Sequence, residues 1–184
     1  MPRQPRLDAP GTRHQVIIRG IEKRPSVADA EDWQQFVSRL GRLVLELHMS
    51  IYAWTLLTNQ AHLLVRSGPS GLPAFMRRLL SGYAVTSNRR HRRHGHLFQT
   101  RSKSIGCDEE TYFQELVRDI QLNPLRARLV GTLPELETYP WCGHATLLST
   151  GGYEWQERAS VLGRFGPTER AAKAAYRQYV REGV

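Results

Sequence analysis

Acidic residues are missing from about a third of this 184-residue chain. None occurs between Leu47 and Cys107, while that window holds nine basic ones: Arg66, Arg77, Arg78, Arg89, Arg90, Arg92, Arg93, Arg101 and Lys103. A solvated helix surface normally interleaves both signs for i,i+4 pairing and solubility, so an ordinary mixed surface is excluded there. The other 17 basic residues are matched by 17 acidic ones, and the window alone carries the net charge of +9. Charge gathered in this way marks a face for a polyanion, with nucleic acid the expected partner.

Cysteine is nearly as scarce. Cys107 and Cys142 have no CxxC or metal-ligand spacing, which excludes a disulfide framework and a cysteine metal site and reads as two reduced thiols. No apolar run approaches the roughly 18 residues that cross a bilayer. The opening MPRQPRLDAPGTRHQ carries arginines without an apolar signal core. A soluble, cytoplasmic protein with no membrane partner is expected. Internal repeats and low-complexity linkers are absent too, and a chain that is 40% hydrophobic has the material for one core with an appendage.

What is present alternates between two periods. Residues 14–20 (HQVIIRG) form a β-branched run that stops at a glycine, the pattern of a first strand. After Ser26, apolar residues recur at three and four from Trp33 and Phe36 through Leu40, Leu43 and Leu47, which predicts an amphipathic helix. Two strands, 51–58 and 61–66, meet at a tight Asn59-Gln60 turn. Gly71-Leu72-Pro73 opens a second helix whose apolar face runs from Phe75 to Ala84 and whose end frays into RRHRRHGH. A fourth strand is expected over 96–105, then a helix capped by Asp108 that carries Tyr112, Phe113, Val117 and Ile120 and stops near Asn123-Pro124. The order β-α-β-β-α-β-α predicts an α+β fold: a ferredoxin-like antiparallel sheet with helices packed on one face. Residues 1–130 make this unit. Residues 131–184 form a C-terminal extension, an irregular wrap closed by a helix from Thr168 to Glu182.

The stretch 56-LLTNQAHLLVRSG-68 carries the most chemistry, because alternate strand residues share a face and Gln60 and His62 therefore project side by side. With it stand HQVIIRG, 97-LFQTRSKSI-105, 118-RDIQLNPLRARLV-130, 139-YPW-141, 161-VLGRFG-166 and 176-YRQYVREG-183. Through these blocks most of the chain resembles the REP-associated tyrosine transposases, single-tyrosine HUH enzymes that cut and rejoin single-stranded DNA next to hairpins. In that family a His-x-His strand binds a divalent ion that polarises the scissile phosphate, a tyrosine on the third helix becomes the phosphotyrosine, and an amide one turn later completes the metal shell.

The resemblance puts Gln60 and His62 in the His-x-His slot, Asp119 at the tyrosine position and Asn123 at the amide. Gln60 keeps a carbonyl oxygen, so a weakly bound Mg or Mn is what the resemblance leaves. Asp119 departs further. Its carboxylate adds like charge against a phosphate unless a metal lies between, and a mixed anhydride would hydrolyse instead of conserving the strand.

The expected function is DNA binding, to a hairpin or a single strand at its foot, by a transposase-like protein with an impaired catalytic centre. The arginines of the acid-free window and Lys103 would meet the phosphates. The alternative is an active metal-dependent transposase or nuclease using Tyr112 or water. Tyr112 precedes Asp119 by seven residues on roughly the same helical face, but lies about 10 Å away along the axis, whereas an attacking atom must stand within about 3.5 Å. Glu115, Asp119 and Asn123 recur at i+4, either as a hydrolytic metal site with His62 or as a solvated stripe. His91, His94 and His96 sit among arginines and read as phosphate contacts. Phe98 and Gln99 beside Arg101 and Lys103 read as a stacking surface for unpaired bases, and Trp54, Trp141 and Trp155 as core or wrap contacts.

Overall fold

The computed structural model describes residues 9–99, 103–106, 110–149 and 151–184. Strand β1 (Arg13–Arg19), helix α1 (Ala30–Glu46), strands β2 (Ser50–Leu56) and β3 (Gln60–Arg66), helix α2 (Gly71–His91) and strand β4 (Lys103–Gly106) come first. Six helices follow: α3 (Phe113–Gln121), α4 (Asn123–Arg126), α5 (Leu133–Thr138), α6 (Gly143–Leu148), α7 (Arg158–Leu162) and α8 (Glu169–Glu182). The strands pair antiparallel in the order β2-β3-β1-β4, the ferredoxin-like arrangement that the element order predicts.

Local chemistry fixes the ends of these elements. Helix α1 starts at Asp29, whose carboxylate accepts from the Asp32 amide; the Ser26 hydroxyl donates instead to Thr58 O at 3.4 Å. Before β4 the chain first touches β1 through a Gly20–Phe98 bridge. Arg101, Cys107 and the expected cap Asp108 lie outside the described residues.

Two apolar cores sandwich the sheet. On one side Val16, Ile18, Trp54, Leu63 and Val65 meet Phe36, Leu40 and Leu43 of α1 and Phe75, Leu79 and Tyr83 of α2. On the other, Tyr52, Ala53 and Leu64 meet Phe113, Val117 and Ile120 of α3, with Leu136, Leu147, Tyr176 and Val180 from the extension. The helices, expected on one face, are thus divided between two. The reason is visible in β2, where every residue after Ser50 is buried; such a continuous apolar run belongs to a strand covered on both sides. The expected irregular wrap is itself largely helical, with Thr132 and Thr168 capping α5 and α8 through their hydroxyls. Within it the Cys142 thiol is fully buried and pushed up to about 11 by that burial, which makes it inert. Among the described residues no helix is long and apolar enough to cross a membrane.

His144 of α6 sits in this second core with Nδ1 2.7 Å from the Tyr176 hydroxyl. Burial, reinforced by Arg177, lowers its pKa from 6.5 to about 4. Between those values the unfolded chain takes up a proton that the folded one refuses, so this stability is complete above pH 6.5 and is lost as the pH falls toward 4. Urea unfolding should therefore lose on the order of 2–3 kcal/mol between pH 7 and 4 through this group, and His144→Gln should flatten the profile. An unchanged profile in the variant would refute the assignment.

Candidate functional site

Strand register collects the expected site residues on one face. Lys103 pairs with Ile17, Ile17 with His62 and His62 with Thr55, forming one row across all four strands; Arg19 pairs with Gln60 in the next row. Directly opposed residues point the same way, so Lys103, His62, Gln60 and Arg19 share the side on which α3 lies. Helix α3 packs on β2 and β3 and leaves Arg13, Gln15 and Ile17 of β1 half-exposed. Two strand spacings separate Lys103 from His62, about 10 Å. Thr55 Oγ1 donates to Ile120 O at 2.9 Å, which ties α3 down beside the histidine row between Asp119 and Asn123 in sequence.

The pair that opens the question of chemistry is in contact. His62 Nε2 lies 3.1 Å from Gln60 Oε1. An amide oxygen only accepts, so this contact puts the imidazole proton on Nε2, and the two side chains spend on each other the atoms that a shared ion would need. Burial, with Arg19 adding, lowers the His62 pKa to about 4, so the ring is neutral at physiological pH. Asp119 is exposed and pairs with Arg126 at 3.3 Å. A neutral imidazole, two amides and a carboxylate already paired do not fit a tightly held Mg²⁺ or Mn²⁺, which favour anionic oxygens.

Tyr112 ends a 3₁₀ turn (Glu110–Tyr112) ahead of α3 and is 53% exposed. Glu115 and Asp119 are both solvent-facing, as in the stripe reading. Sequence reasoning missed Tyr179 of α8, whose ring carries the Arg118 guanidinium 4.2 Å above its centroid. Burial raises the Tyr179 phenol, opposed by Arg118 and reinforced by Glu115 and Asp119. That direction is the reverse of an activated nucleophile. Its only trace in the sequence was the second tyrosine of YRQYVREG.

The basic run splits into two kinds of residue. Arg90 donates to Asp29 at 2.6 and 2.7 Å and to the buried Asp32 at 2.7 Å, and His91 Nε2 lies 2.7 Å from Asp32 Oδ2. Both were expected on phosphates; both instead clamp the end of α2 to the start of α1, because Asp32 is an otherwise uncompensated buried carboxylate. Arg90 also holds the Asp29 carboxyl well below its ordinary range. Asp29, Asp32 and His91 present ligand atoms within 4.8 Å of one another, yet the guanidinium already supplies the positive charge. Arg78 pairs with Glu46 at 2.6 Å. By contrast Arg77, Arg89, Arg92 and Arg93 are exposed and have no acidic partner among the described residues. Lys103, His94 and His96 are exposed as well.

Arg89 to Arg93 gather at the sheet end that carries Gln60 and Arg19, where Gly20 N donates to Asn59 O at 2.9 Å and Tyr83 hydroxyl to Ser26 O at 2.7 Å. Arg77 lies about 18 Å back along α2. Phe98, expected to stack bases, is instead buried against Tyr83 with ring centroids 5.9 Å apart.

No family model and no curated protein matches the sequence. Among solved structures the chain is similar to a REP-associated tyrosine transposase bound to a REP hairpin, with a TM-score of 0.68 and 14% identity over 85% of this chain and 90% of that one. The two share a fold. A candidate transposase from Deinococcus radiodurans R1 aligns with a TM-score of 0.45 and 16% identity over 61% of this chain and 92% of that one.

The clamp at Asp32 should be measurable. Asp32→Ala removes the acceptor for Ala28 N, Arg90 and His91 and should lower stability by on the order of 2–3 kcal/mol, while Arg92→Ala leaves it within about 0.5 kcal/mol. Equal effects of the two changes in thermal or urea unfolding would contradict the division of the basic run.

Proposed function

We propose that this protein binds DNA in the cytoplasm, at a hairpin or at the single strand at its foot, as a transposase-like fold whose cutting chemistry is impaired. The observation that carries the reading is the group Arg89, Arg92 and Arg93: exposed guanidiniums gathered at one helix end, without acidic partners among the described residues. Like charges within a turn repel, and a polyanion is what relieves them. The shared fold supports the same reading, since the protein it is shared with was seen on a DNA hairpin. Residues 1–130 would supply this surface, with 131–184 as a packed extension.

The impairment is argued from electrostatics. Gln60 and His62 satisfy each other, so a divalent ion would be held only weakly, with Asn123 as a further neutral donor. Asp119 would set a carboxylate against the phosphate. The active-enzyme alternative has no favoured nucleophile in Tyr112, which precedes the helix, or in Tyr179, whose phenol is raised.

Labelled hairpin and single-stranded oligonucleotides, incubated with Mg²⁺ or Mn²⁺ and run on native and denaturing gels, should give a shift without a covalent band. Binding should weaken steeply with salt, and the triple change Arg89→Ala, Arg92→Ala, Arg93→Ala should reduce the log–log salt slope by about 2–3, near 0.9 per lost phosphate contact. Absence of any shift at low salt sinks the DNA reading; a covalent band sinks the impairment. In a separate calorimetric experiment Gln60→His should tighten Mn²⁺ binding roughly tenfold, the scale on which changes around a metal act; unchanged affinity would show that Gln60 does not limit the site.

A further inference from the structure

A second feature lies away from the sheet face just described. Between α1 and the chain on either side of α6 is a cavity of about 360 Å³, lined by Gln34, Val37, Ser38, Trp141, Tyr153 and Trp155. Helix α1 belongs to the first core, so this cavity and the His62 row occupy different sides of the sheet.

Its walls are aromatic faces. Tyr153 and Trp155 rings stand 5.2 Å apart at 39°, Trp33 and Trp141 5.7 Å apart at 31°, and buried Trp54 backs both Tyr153 and Trp155 at 5.2 and 5.3 Å. Trp141, Tyr153 and Trp155 are only half-buried, which leaves ring surface for a ligand. A glycine in mid-helix makes this possible: a Cβ at Gly41 would stand 2.4 Å from Trp155 Nε1, so any other residue would push the indole away. A glycine there is otherwise unfavourable by about 1 kcal/mol against alanine.

The polar side of the cavity is neutral. The Gln34 amide and Ser38 hydroxyl are exposed on α1, and burial pushes the Tyr153 phenol further from ionising. Aromatic faces with one donor–acceptor amide suit a planar heterocycle held by stacking and read along its edge. A purely aliphatic ligand would leave the Gln34 amide unused, and a cation, though suited to the ring faces, would meet the positive charge of Arg42 on α1. One turn beyond Ser38, on the same stripe of α1, Arg42 is exposed and reaches Glu46 only at 3.9 Å, within range of a phosphate attached to such a ring.

We propose that this cavity takes one unpaired nucleobase of bound DNA, stacked on the Trp141, Tyr153 and Trp155 rings, with Gln34 on its edge and Arg42 on its phosphate. The inference rests on the DNA-binding reading and adds to it a base-holding site on the opposite side from the altered centre.

The test uses fluorescence polarisation with six hairpins: one blunt, one carrying a four-nucleotide single-stranded flank, and four carrying that flank with one base in turn made abasic. The flank should add about tenfold in affinity, one abasic position should remove it, and Ser38→Leu or Gln34→Ala should remove the same increment while leaving the blunt hairpin unchanged. Both positions face solvent, so folding is preserved, which circular dichroism checks. If no abasic position matters, or if Ser38→Leu binds the flanked hairpin as tightly as the parent protein, the pocket assignment is overturned while blunt-hairpin binding still stands. Failure of the parent protein to bind the blunt hairpin would overturn the DNA reading on which it rests.

Discussion

Burial of the β2–β3 hairpin on both of its faces is the constraint from which the rest of the molecule follows. A strand covered on one side needs one layer of helices; one covered on both needs two, and neither α1 and α2 nor α3 and the extension can serve both faces. Each large side chain taken fully out of water contributes about 1.5–3 kcal/mol, and Trp54, Leu63 and Leu64 are at 1% exposure. The one polar intruder in the middle of β2, Thr55, is tolerated because its hydroxyl donates to Ile120 O at 2.9 Å; left unpaired it would cost about 1–3 kcal/mol. That bond also sets where α3 lies. With α3 seated over β2 and β3, β1 keeps a half-exposed row, and the polar residues of β3 on the same face, Gln60 and His62, stand half-buried at its edge.

The strand order was legible in the sequence because its signals are local: β-branched runs bounded by glycine, helices with a clean three-and-four period, and a tight connection, which the structure centres on Thr58-Asn59 with Gln60 already in β3 and not in the turn as expected. The second covered face was less so, although 51-IYAWTLL-57 already lacked the alternation of a one-sided strand. What stayed hidden were the choices made by tertiary partners. Nothing within RRHRRHGH distinguishes Arg90 from Arg89; the difference is Asp32, 58 residues away, buried and in need of a cation. Phe98 reads as a stacking residue until Tyr83 is known to lie beside it. Trp155 finds its place only beside Gly41, on a helix more than a hundred residues earlier, and Trp141 beside Trp33 of the same helix. The pair Gln60 and His62 was readable at once, because strand periodicity alone brings them together; their mutual hydrogen bond was not.

The chemistry at that pair illustrates how one side chain sets the state of its neighbour. Two histidines can both turn lone pairs toward an ion. A glutamine oxygen facing a histidine nitrogen asks for a proton instead, and a ring whose burial already favours neutrality can carry that proton on Nε2 without becoming charged. The result is a self-satisfied pair that has less to gain from an ion. Asp119 points in the same direction from the other side: its charge is met by Arg126, so it resembles a surface ion pair more than a group awaiting a metal or a phosphate.

The basic end of α2 resolves an apparent conflict between holding a helix end in place and crowding it with positive charge. Five cationic or titratable residues in succession repel one another and would splay a free helix end. Helical rotation of about 100° per residue turns neighbouring residues in different directions, so the buried Asp32 captures Arg90 and His91 while Arg89 faces solvent and Arg92, in a left-handed turn at φ 53°, ends the helix. The captured residues hold the end rigid; the others inherit that rigidity. A guanidinium already held on an ordered helix end gives up less freedom when it meets a phosphate than one on a mobile tail. Folding energy spent at Asp32 therefore becomes preorganisation of the exposed guanidiniums beside it, and the same short run supplies both the clamp and the cations it leaves free.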